Sequence, residues 1–341
     1  MRKPSPIKKP TIHDLASLAG TSASTVSAVL NGSWEKRRIS KRLADHVSQI
    51  AQEQGYALNM QARALRRARS GIIGMILPMY DNRYFSSIAQ TFEDMARARD
   101  LFPIVTCTRR DPRLELSAAR SLLAYQVEYL ICTGTTDPDR IARLCAPAGV
   151  PTINLDLPGT LAPSVISDNF AGARALTLDI LARAQKSGRA GQALMFIGGR
   201  GTDHNTRERL RGFRAAHAEQ GIAVDETLIL TCGYAAQKAS DALSALVATG
   251  HALPPGMFVN STISLEGVMR WIGRAKAQGL DQIQLGCFDW DPFAEMLGTG
   301  IVMIRQDVET MLSQLFALID EGAVQPRKIE IAPIALSPAL D

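Results

Sequence analysis

Apolar residues in the first 55 positions recur at the spacing of an α-helix in three short segments, 11–20, 22–31 and 40–55. Thr11 and Ser22 stand where they can cap the first two helices, and a glycine separates the two. The apolar positions that define the three helix faces are Ile12, Leu15, Ala16, Ala19, Val26, Val29, Leu30, Leu43, Ala44, Val47, Ile50 and Ala51. Two short helices joined by a glycine turn and closed by a third are typical of a helix-turn-helix, which enters the DNA major groove.

From residue 71 onward, strand-like apolar runs alternate with amphipathic segments. The predicted strands are 72–77, 103–107, 128–134, 151–156, 193–199, 227–232, 257–261 and 283–290. The predicted helices lie near 84–99, 112–125, 169–184, 206–220, 235–249 and 264–278. Such alternation indicates parallel sheets covered by helices on both faces, and the second half of this region repeats the first. The predicted fold is a small all-α helix-turn-helix head plus an α/β body of two doubly wound parallel-sheet subdomains.

The charge of the chain is unevenly distributed. The 341 residues carry a net charge of +5, but residues 1–70 hold 13 Lys and Arg against 4 Asp and Glu, a net charge of +9, whereas residues 71–341 have a net charge of −4. A basic head on a mildly acidic body is typical of a phosphate-binding module attached to a domain that need not touch nucleic acid. A disordered basic tail would explain residues 1–10, but not the periodic apolar pattern that follows.

Other classes of protein fit the sequence less well. The five cysteines show no paired metal-ligand spacing, so we expect reduced cysteines, no metal and no cofactor. The glycines of 196–205 match neither the phosphate-loop nor the dinucleotide fingerprint, which argues against an enzyme that binds nucleotides. No apolar segment follows the basic N-terminus, and no apolar run is long enough to span a bilayer, which indicates a cytoplasmic protein without a membrane partner.

Several motifs carry a resemblance to a known family. They are TIHDLASLAGTSASTVSAVLNG (11–32), GYALNMQARALR (55–66), VISDNFAGARAL (165–176), RERLRGF (207–213), SLEGVM (264–269) and FDWD (288–291). The chain resembles the lac repressor family of bacterial transcription regulators from Thr11 almost to the C-terminus. Its loop SWEKRRIS and its stretch FIGGRGTDHNTRERLRGF are most similar to the fructose and sucrose repressor branch.

This resemblance implies a sequence-specific DNA-binding transcriptional regulator. It would repress a carbohydrate-utilisation operon under the control of a small sugar bound between the two subdomains of a periplasmic-binding-protein-like body. It would act in the cytoplasm, associated with the nucleoid, as a homodimer on a pseudo-palindromic double-stranded operator. Two alternatives are a periplasmic-type sugar-binding protein without a regulatory role and a global regulator that responds to a sugar phosphate.

The resemblance also implies a division of the chain into three parts. These are a head with a basic tail (1–58), a hinge helix (59–70) and an effector-binding and dimerisation body (71–341). Within the body we expect an N-subdomain of about 71–168 plus 300–325 and a C-subdomain of about 169–299 plus 326–341. In the hinge, the resemblance implies that Leu65 is a wedge in the minor groove and that Arg63 and Arg66 contact phosphates.

Candidate DNA contacts follow from the same comparison. The resemblance maps Ala23, Ser24 and Ala28 onto positions that face base edges, and alanine cannot make the bidentate guanine contact of an arginine. Hydroxyl and basic side chains around them are better suited to phosphates, which position a protein without reading sequence. The full candidate set in the head is Thr11, Ser22, Ala23, Ser24, Thr25, Ser27, Ala28, Asn31 and Arg38.

Candidate ligand-binding residues lie where predicted strands end, because ligands of open α/β sheets bind beyond the carboxyl ends of the strands. The strand-end candidates are Asp81, Asn82, Asp156, Ser261, Asp289 and Trp290. Phe85, as an aromatic ring for an apolar sugar face, and Gln306 complete the candidate set, and the resemblance implies Arg207 as a hydroxyl-binding arginine. In the fructose repressor branch an arginine usually follows the position of Asp156, but here it is Leu157. We therefore expect a free ketose or a related small carbohydrate rather than a phosphorylated one.

Overall fold

The computed structural model describes residues 10–56, 69–274, 283–297 and 300–336, which fall into two compact units, Met1–Ser70 and Gly71–Asp341. The hinge candidates Arg63, Leu65 and Arg66 lie outside the described residues, so their roles stay predictions.

The first unit contains the three helices that the sequence predicts. They are α1 (Ile12–Leu18), α2 (Ala23–Leu30) and α3 (Lys41–Glu53). Thr11 and Asp14 form a reciprocal cap on α1, since the Thr11 amide donates to Asp14 Oδ2 at 2.7 Å and the Asp14 amide donates to Thr11 Oγ1 at 3.3 Å. Leu15, Val26 and Val47 are fully buried at the centre of a small apolar core, which stabilises the arrangement of the helices.

The first lobe of the second unit is a parallel six-stranded sheet between helices. Its strands are β1 (Ile72–Leu77), β2 (Phe102–Cys107), β3 (Tyr129–Thr133), β4 (Thr152–Leu155), β5 (Ser164–Ser167) and β11 (Lys328–Ile331). Its helices are α4 (Arg83–Arg97), α5 (Pro112–Ala124), α6 (Pro138–Cys145) and α12 (Val308–Asp320). Asp111 and Asp137 cap helices that begin with proline, a residue whose missing amide costs nothing at a helix start.

The second lobe repeats this design. Its strands are β6 (Met195–Ile197), β7 (Ile229–Leu230), β8 (Gly256–Val259), β9 (Gln284–Phe288), β10 (Val302–Arg305) and the antiparallel edge strand β12 (Ile334–Leu336). Its helices are α7 (Asn169–Lys186), α8 (His204–Glu219), α9 (Ala236–Ala248), α10 (Thr262–Arg274) and α11 (Pro292–Glu295). Stacked and edge-on rings of Phe196, Phe213 and Phe258 fill the core on one face of this sheet.

The two sheets have equivalent strand orders, β11-β5-β4-β3-β1-β2 and β12-β10-β9-β8-β6-β7. The chain passes between the lobes after β5, after β10 and after β11. The boundaries predicted near residues 300 and 325 differ from this topology, because β10 pairs in the second sheet and β11 pairs in the first. The strands β5 and β10 were not among the predicted strands.

Candidate DNA-binding surface and ligand cleft

The first turn of α2 presents a cluster of hydroxyl groups. Ser22 caps the helix by accepting from the Thr25 amide at 3.1 Å, and its Oγ lies 2.8 Å from Ser24 Oγ and 2.9 Å from Thr25 Oγ1. Ser22 and Ser24 are exposed, whereas Ala23, Thr25 and Ser27 are half-buried. Small polar side chains at an exposed helix N-terminus suit phosphate and base-edge contacts, because the helix dipole favours negative charge there.

Three other head candidates take part in the fold of the head. Ala28 is buried, with 3% of its surface exposed, because it lies on the face of α2 that also buries Val26 and Val29, so its assignment to the base-edge surface is wrong for this structure. Asn31 ends α2 by donating to the Ser27 carbonyl at 2.7 Å. Thr11 is exposed, and its hydroxyl donates to Asp14.

A basic surface surrounds the start of α3. Its members, all exposed, are Lys36, Arg37, Arg38, Lys41 and Arg42. Arg38 has a left-handed backbone (φ 57°) at the turn that leads into this helix. Exposed cations close to an exposed helix N-terminus provide the sequence-independent attraction that DNA phosphates require.

In the second unit, the carboxyl ends of strands from both lobes meet at one cleft. The residues that line it are Met79, Asn82, Tyr84, Phe85, Arg110, Asp156, Asn205, Arg209, Tyr234, Ser261, Ile263, Asp289 and Gln306. Six of the predicted candidates line this cleft, namely Asn82, Phe85, Asp156, Ser261, Asp289 and Gln306. The space at its centre is ≈ 30 Å³, and a neighbouring cavity of ≈ 270 Å³ shares Tyr84, Asp289 and Gln306 with it.

Asp156 and Asp289 occupy equivalent positions in the two lobes. Asp156 directly follows β4 and Asp289 directly follows β9, the corresponding strand of the second sheet. Both have left-handed backbones, with φ of 73° and 85°, and both are buried. A non-glycine residue rarely keeps this conformation unless its surroundings hold it, and such residues concentrate at functional sites.

Asp156 is the centre of a hydrogen-bond network that joins the lobes. Its Oδ1 accepts from the Tyr84 hydroxyl at 3.2 Å and from the Asn205 side-chain amide at 3.0 Å. Asn205 belongs to α8 of the second lobe, and its own carbonyl accepts from Asn169 at 3.1 Å. The second carboxylate oxygen, Oδ2, is buried and accepts no hydrogen bond from the described residues.

Asp289 is tied instead to the segments where the chain passes between the lobes. The Gln306 side-chain amide donates to Asp289 Oδ1 at 2.6 Å, and Ser167 Oγ donates to the Gln306 carbonyl at 2.6 Å. Ser167 is the last residue of β5, and Gln306 immediately follows β10. The hydrogen bonds of Asp289 are therefore sensitive to the relative position of these two crossing segments.

Arg209, rather than the predicted Arg207, lines the cleft. Arg209 is buried, and its guanidinium lies 3.7 Å from the ring centre of Phe288. Its Nε donates to Asn169 Oδ1 at 2.8 Å, and its Nη1 donates to the Asn260 backbone carbonyl at 2.6 Å. Arg207 is exposed and does not line the cleft. Residues two positions apart on an α-helix, such as Arg207 and Arg209, point about 200° apart, so only one of the two can face inward.

Burial and neighbouring charges shift the pKa values of the cleft in opposing directions. Burial raises the pKa of Asp289 to about 6, although the positive charge of Arg209 lowers it. Burial also raises the pKa of Asp156, against the lowering effect of Arg110 and Arg209. The pKa of Tyr234 rises to about 12, mainly because that phenol is buried. The site thus confines two carboxylates, two arginines and neutral phenols in a poorly hydrated space.

The remaining sequence candidates lie around the cleft. Asp81 is exposed and lines an adjoining groove of ≈ 530 Å³, which shares Asn82 and Ile263 with the cleft. Trp290 lines the ≈ 270 Å³ cavity beside Arg305. Leu157 is buried and does not line the cleft.

Sequence reasoning missed seven of the lining residues, the apolar Met79 and Ile263 and the polar Tyr84, Arg110, Asn205, Arg209 and Tyr234. A signal existed for Asn205 and Arg209, because both share the helical stripe of Phe213 at intervals of four residues.

Two further observations concern the described ranges as a whole. No group of three or more His, Cys, Asp or Glu in them is arranged to hold a metal ion. None of their helices combines the length and the apolar character needed to cross a membrane.

Two protein families match the two parts of the chain. Residues 11–59 match the family described as "Bacterial regulatory proteins, lacI family". Residues 70–289 match the family described as "Periplasmic binding proteins and sugar binding domain of LacI family". The helix-turn-helix head and the two-lobed body therefore correspond to separate families that occur together in one class of regulator.

Individual proteins support the same relationship. The chain is 60% identical over 194 residues to a ribitol operon repressor of Klebsiella aerogenes, covering 57% of this chain and 72% of that protein. It is 28% identical over 325 residues to a sucrose operon repressor of Klebsiella pneumoniae, covering 94% and 95%. The fold matches the crystal structure of the lac repressor dimer bound to operator and the anti-inducer ONPF, with a TM-score of 0.80 at 21% identity over 98% of this chain and 100% of that one.

Proposed function

The chain belongs to the LacI family of bacterial regulatory proteins, and from that premise we propose that it represses an operon for the use of a small neutral polyhydroxy compound, such as a pentitol. The ligand binds in the cleft between the lobes and weakens the hold of the head on its operator. The regulator acts in the cytoplasm, bound to the nucleoid. The ligand is thus unphosphorylated, as expected for a free small carbohydrate, and is more narrowly an open-chain polyol.

The observation that carries the proposal is the pair of buried aspartates that face one cleft from the two lobes. A carboxylate only accepts hydrogen bonds, so each aspartate favours a ligand that donates them. Hydroxyl groups donate and also accept, which lets the same ligand use the arginine and amide donors of the cleft. A polyol presents such groups along its whole length and brings no charge that the site must neutralise.

A phosphorylated ligand fits this site less well. Asp156 and Asp289 raise each other's electrostatic energy, because Asp156 already contributes to the raised pKa of Asp289. A phosphate group would add negative charge beside them in a space where charge is weakly screened. Leu157, where the fructose repressor branch usually has an arginine, supplies no third cation, and the charges of Arg110 and Arg209 are already balanced by the two aspartates. The ribitol operon repressor among the relatives supports a pentitol as the compound to test first.

Coupling between ligand and DNA follows from the tight closure of the cleft. The central space of ≈ 30 Å³ holds only one or two water molecules, so a polyol must displace contacts that join the lobes. A ligand that prefers one arrangement of the lobes and DNA that prefers one arrangement of the head segments change each other's affinity reciprocally.

A homodimer on a pseudo-palindromic operator is the assembly we propose, since helix-turn-helix proteins read two half-sites in pairs. An apolar surface supports pairing of two copies: Phe293, Met296 and Leu297 are 67%, 78% and 46% exposed beside the ≈ 530 Å³ groove. Side chains of this size are seldom left together in water without a partner.

The decisive experiment measures ligand and operator binding with the same preparation of the full chain. Calorimetry would compare ribitol, xylitol, fructose and fructose 1-phosphate, and a gel-shift assay would use DNA from upstream of the chain's own coding region at several salt concentrations. We expect salt-sensitive binding to a specific fragment and release by a neutral pentitol. Tight binding of fructose 1-phosphate with no response to any neutral polyol would contradict the proposed ligand class. Absence of sequence-preferring DNA binding would contradict the regulatory role.

A further inference from the structure

Arg110 lies between aromatic rings of the two lobes. It follows β2 in the first lobe, and its guanidinium carbon is 5.7 Å from the ring centre of Phe85 and 5.2 Å from the ring centre of Tyr234. Phe85 belongs to α4 of the first lobe, whereas Tyr234 precedes α9 of the second. The Tyr234 hydroxyl lies 3.1 Å from Thr206 Oγ1, which fixes the ring in its own lobe. A cation between two such rings attracts both, so Arg110 contributes to lobe closure.

The backbone that presents Arg110 is strained. Arg109 and Arg110 both have left-handed conformations, with φ of 54° and 55°. Two consecutive non-glycine residues in this region are unusual, and such strain persists only where the surrounding structure holds it. Arg109 is exposed, whereas Arg110 is half-buried and lines the cleft. The strained turn therefore directs one of two adjacent arginines into the site.

Arg110 and Asp156 have complementary unsatisfied atoms. Arg110 Nε is a buried donor for which no described residue supplies an acceptor, and Asp156 Oδ2 is a buried acceptor for which none supplies a donor. Among the charged groups, the positive charge of Arg110 lowers the pKa of Asp156 the most. A buried donor or acceptor without a partner is costly, so a group that satisfies both atoms would bind strongly. A hydroxyl group can accept from Nε and donate to Oδ2 at the same time.

We propose that Arg110 is a specificity-determining residue of the cleft. It donates from Nε to one hydroxyl of the ligand, and that hydroxyl donates to Asp156, while the guanidinium holds Phe85 and Tyr234 together across the cleft. The proposal rests on the proposed function, because it assumes that the cleft binds a neutral polyol. Tight binding then requires one particular hydroxyl group of the ligand, because Arg110 donates to that group. Sequence reasoning did not identify Arg110.

The test compares ribitol with its monodeoxy analogues by calorimetry, using the wild-type full chain and three variants. Arg110→Ala removes the donor and the stacked cation, whereas Arg110→Lys keeps the charge but has no Nε–H at that position. Arg109→Ala is the matched control, because it changes an exposed arginine with the same left-handed backbone in the same turn. We expect Arg110→Ala and Arg110→Lys to weaken ribitol binding about 10- to 100-fold, the range for a hydrogen bond to a charged group. Arg109→Ala should bind within about twofold of wild type.

The deoxy analogues give a second readout that a merely structural role would not alter. For wild type and Arg109→Ala, one analogue should bind at least about tenfold more weakly than ribitol, and for Arg110→Ala the loss caused by the same missing hydroxyl should be clearly smaller, because only its hydrogen bond to Asp156 remains to be lost. This coupling reports on the hydroxyl itself, so a general loss of stability in the Arg110 variants would not imitate it.

The outcomes separate this inference from the proposed function. If wild type binds ribitol and Arg110→Ala binds it equally well, Arg110 has no role in specificity, although the ligand class stands. If no single hydroxyl of ribitol matters to wild type, the inference is also wrong, whatever the stability of the variants. If wild type binds no neutral pentitol at all, the proposed ligand class fails and this inference fails with it.

Discussion

The two lobes of the body place an aspartate at the same point of the same sheet, yet give it different partners. Asp156 accepts hydrogen bonds from Tyr84 and, across the cleft, from Asn205. Asp289 accepts one from Gln306, a residue between the lobes. The strand order and the left-handed backbone are shared, whereas the surroundings are not. The repeated fold therefore determines where a carboxylate stands, and the neighbouring elements determine what it responds to.

The difference gives the two carboxylates separate tasks. The hydrogen bonds of Asp156 report whether the lobes are closed, because Asn205 reaches it from the opposite lobe. The hydrogen bonds of Asp289 report the position of the crossing segments, because Ser167 and Gln306 lie at two of the three passages between lobes. Arg209 is the charge common to both, since it lowers the pKa of each. A ligand that contacts both aspartates would thus connect closure of the cleft with movement of the segments between the lobes.

The largest effect should come from removing the shared charge. We expect Arg209→Met to decrease the free energy of unfolding of the body by about 3–5 kcal/mol, as when one partner of a buried charged group is lost. Both aspartates would lose their common counter-charge, and Asn169 and Asn260 would lose a donor. Urea unfolding followed by circular dichroism measures the change, and calorimetry should show that ribitol binding is lost.

Arg207→Ala is the control for this variant. Arg207 is exposed on the same helix two residues away, so we expect a change within about 0.5 kcal/mol. Equal effects of the two substitutions would contradict the assignment of Arg209 to the cleft.

An intermediate effect should distinguish the two aspartates by pH. The pKa of Asp289 is raised from 3.8 to about 6, which corresponds to roughly 3 kcal/mol. Between these values the folded protein binds more protons than the unfolded chain, so the free energy of unfolding falls as the pH rises through this interval. Asp289→Asn removes the ionisable group and should flatten that dependence, increasing stability at neutral pH by about 1–3 kcal/mol while weakening ligand binding.

Unfolding midpoints at several pH values from about 4 to about 8, a range that brackets the titration, would measure the difference in stability between wild type and Asp289→Asn. Asp156→Asn provides the comparison and should also impair ligand binding. It breaks the contact across the cleft only if the new side-chain amide turns its nitrogen toward Asn205. A difference in stability between wild type and Asp289→Asn that stayed constant over this interval would show that Asp289 is not held in the way described, whereas the wild-type curve alone also contains His204 and His217, whose pKa values burial lowers.

The smallest effect should come from an ion pair at the rim of the cleft. Arg83 of the first lobe lies 3.3 Å from Asp291 of the second, and their side chains are 43% and 29% exposed. Exposed pairs of this kind contribute about 0–1 kcal/mol, so Arg83→Gln should change ribitol affinity less than threefold at low salt and not at all at high salt. A tenfold change that persisted in high salt would mean that the rim, rather than the pair of buried aspartates, controls closure.

Much of this architecture could be predicted from local pattern. Thr11, Asp14 and Ser22 mark helix starts by the reach of a side chain to a nearby amide, and the structure contains those caps. The positions of Asp156 and Asp289 at strand ends follow from the alternation of strands and helices, because parallel strands bring their carboxyl ends to one edge. These features depend on neighbours within a few residues, so the sequence alone was sufficient for them.

The tertiary structure decided which side chains face each other. The sequence favoured Arg207, but the packing of α8 on α7 buries Arg209 and leaves Arg207 in water; in the same way, packing in the head buries Ala28. Arg110 lies over the ring of Tyr234, β10 pairs in the sheet of the second lobe, and β11 pairs in the sheet of the first. Each of these arrangements brings together residues that are far apart along the chain. Hydrophobic spacing and capping are short-range properties that a sequence displays directly. Burial, charge pairing and the choice of partner strand depend on where distant segments come together, and only the folded chain specifies that.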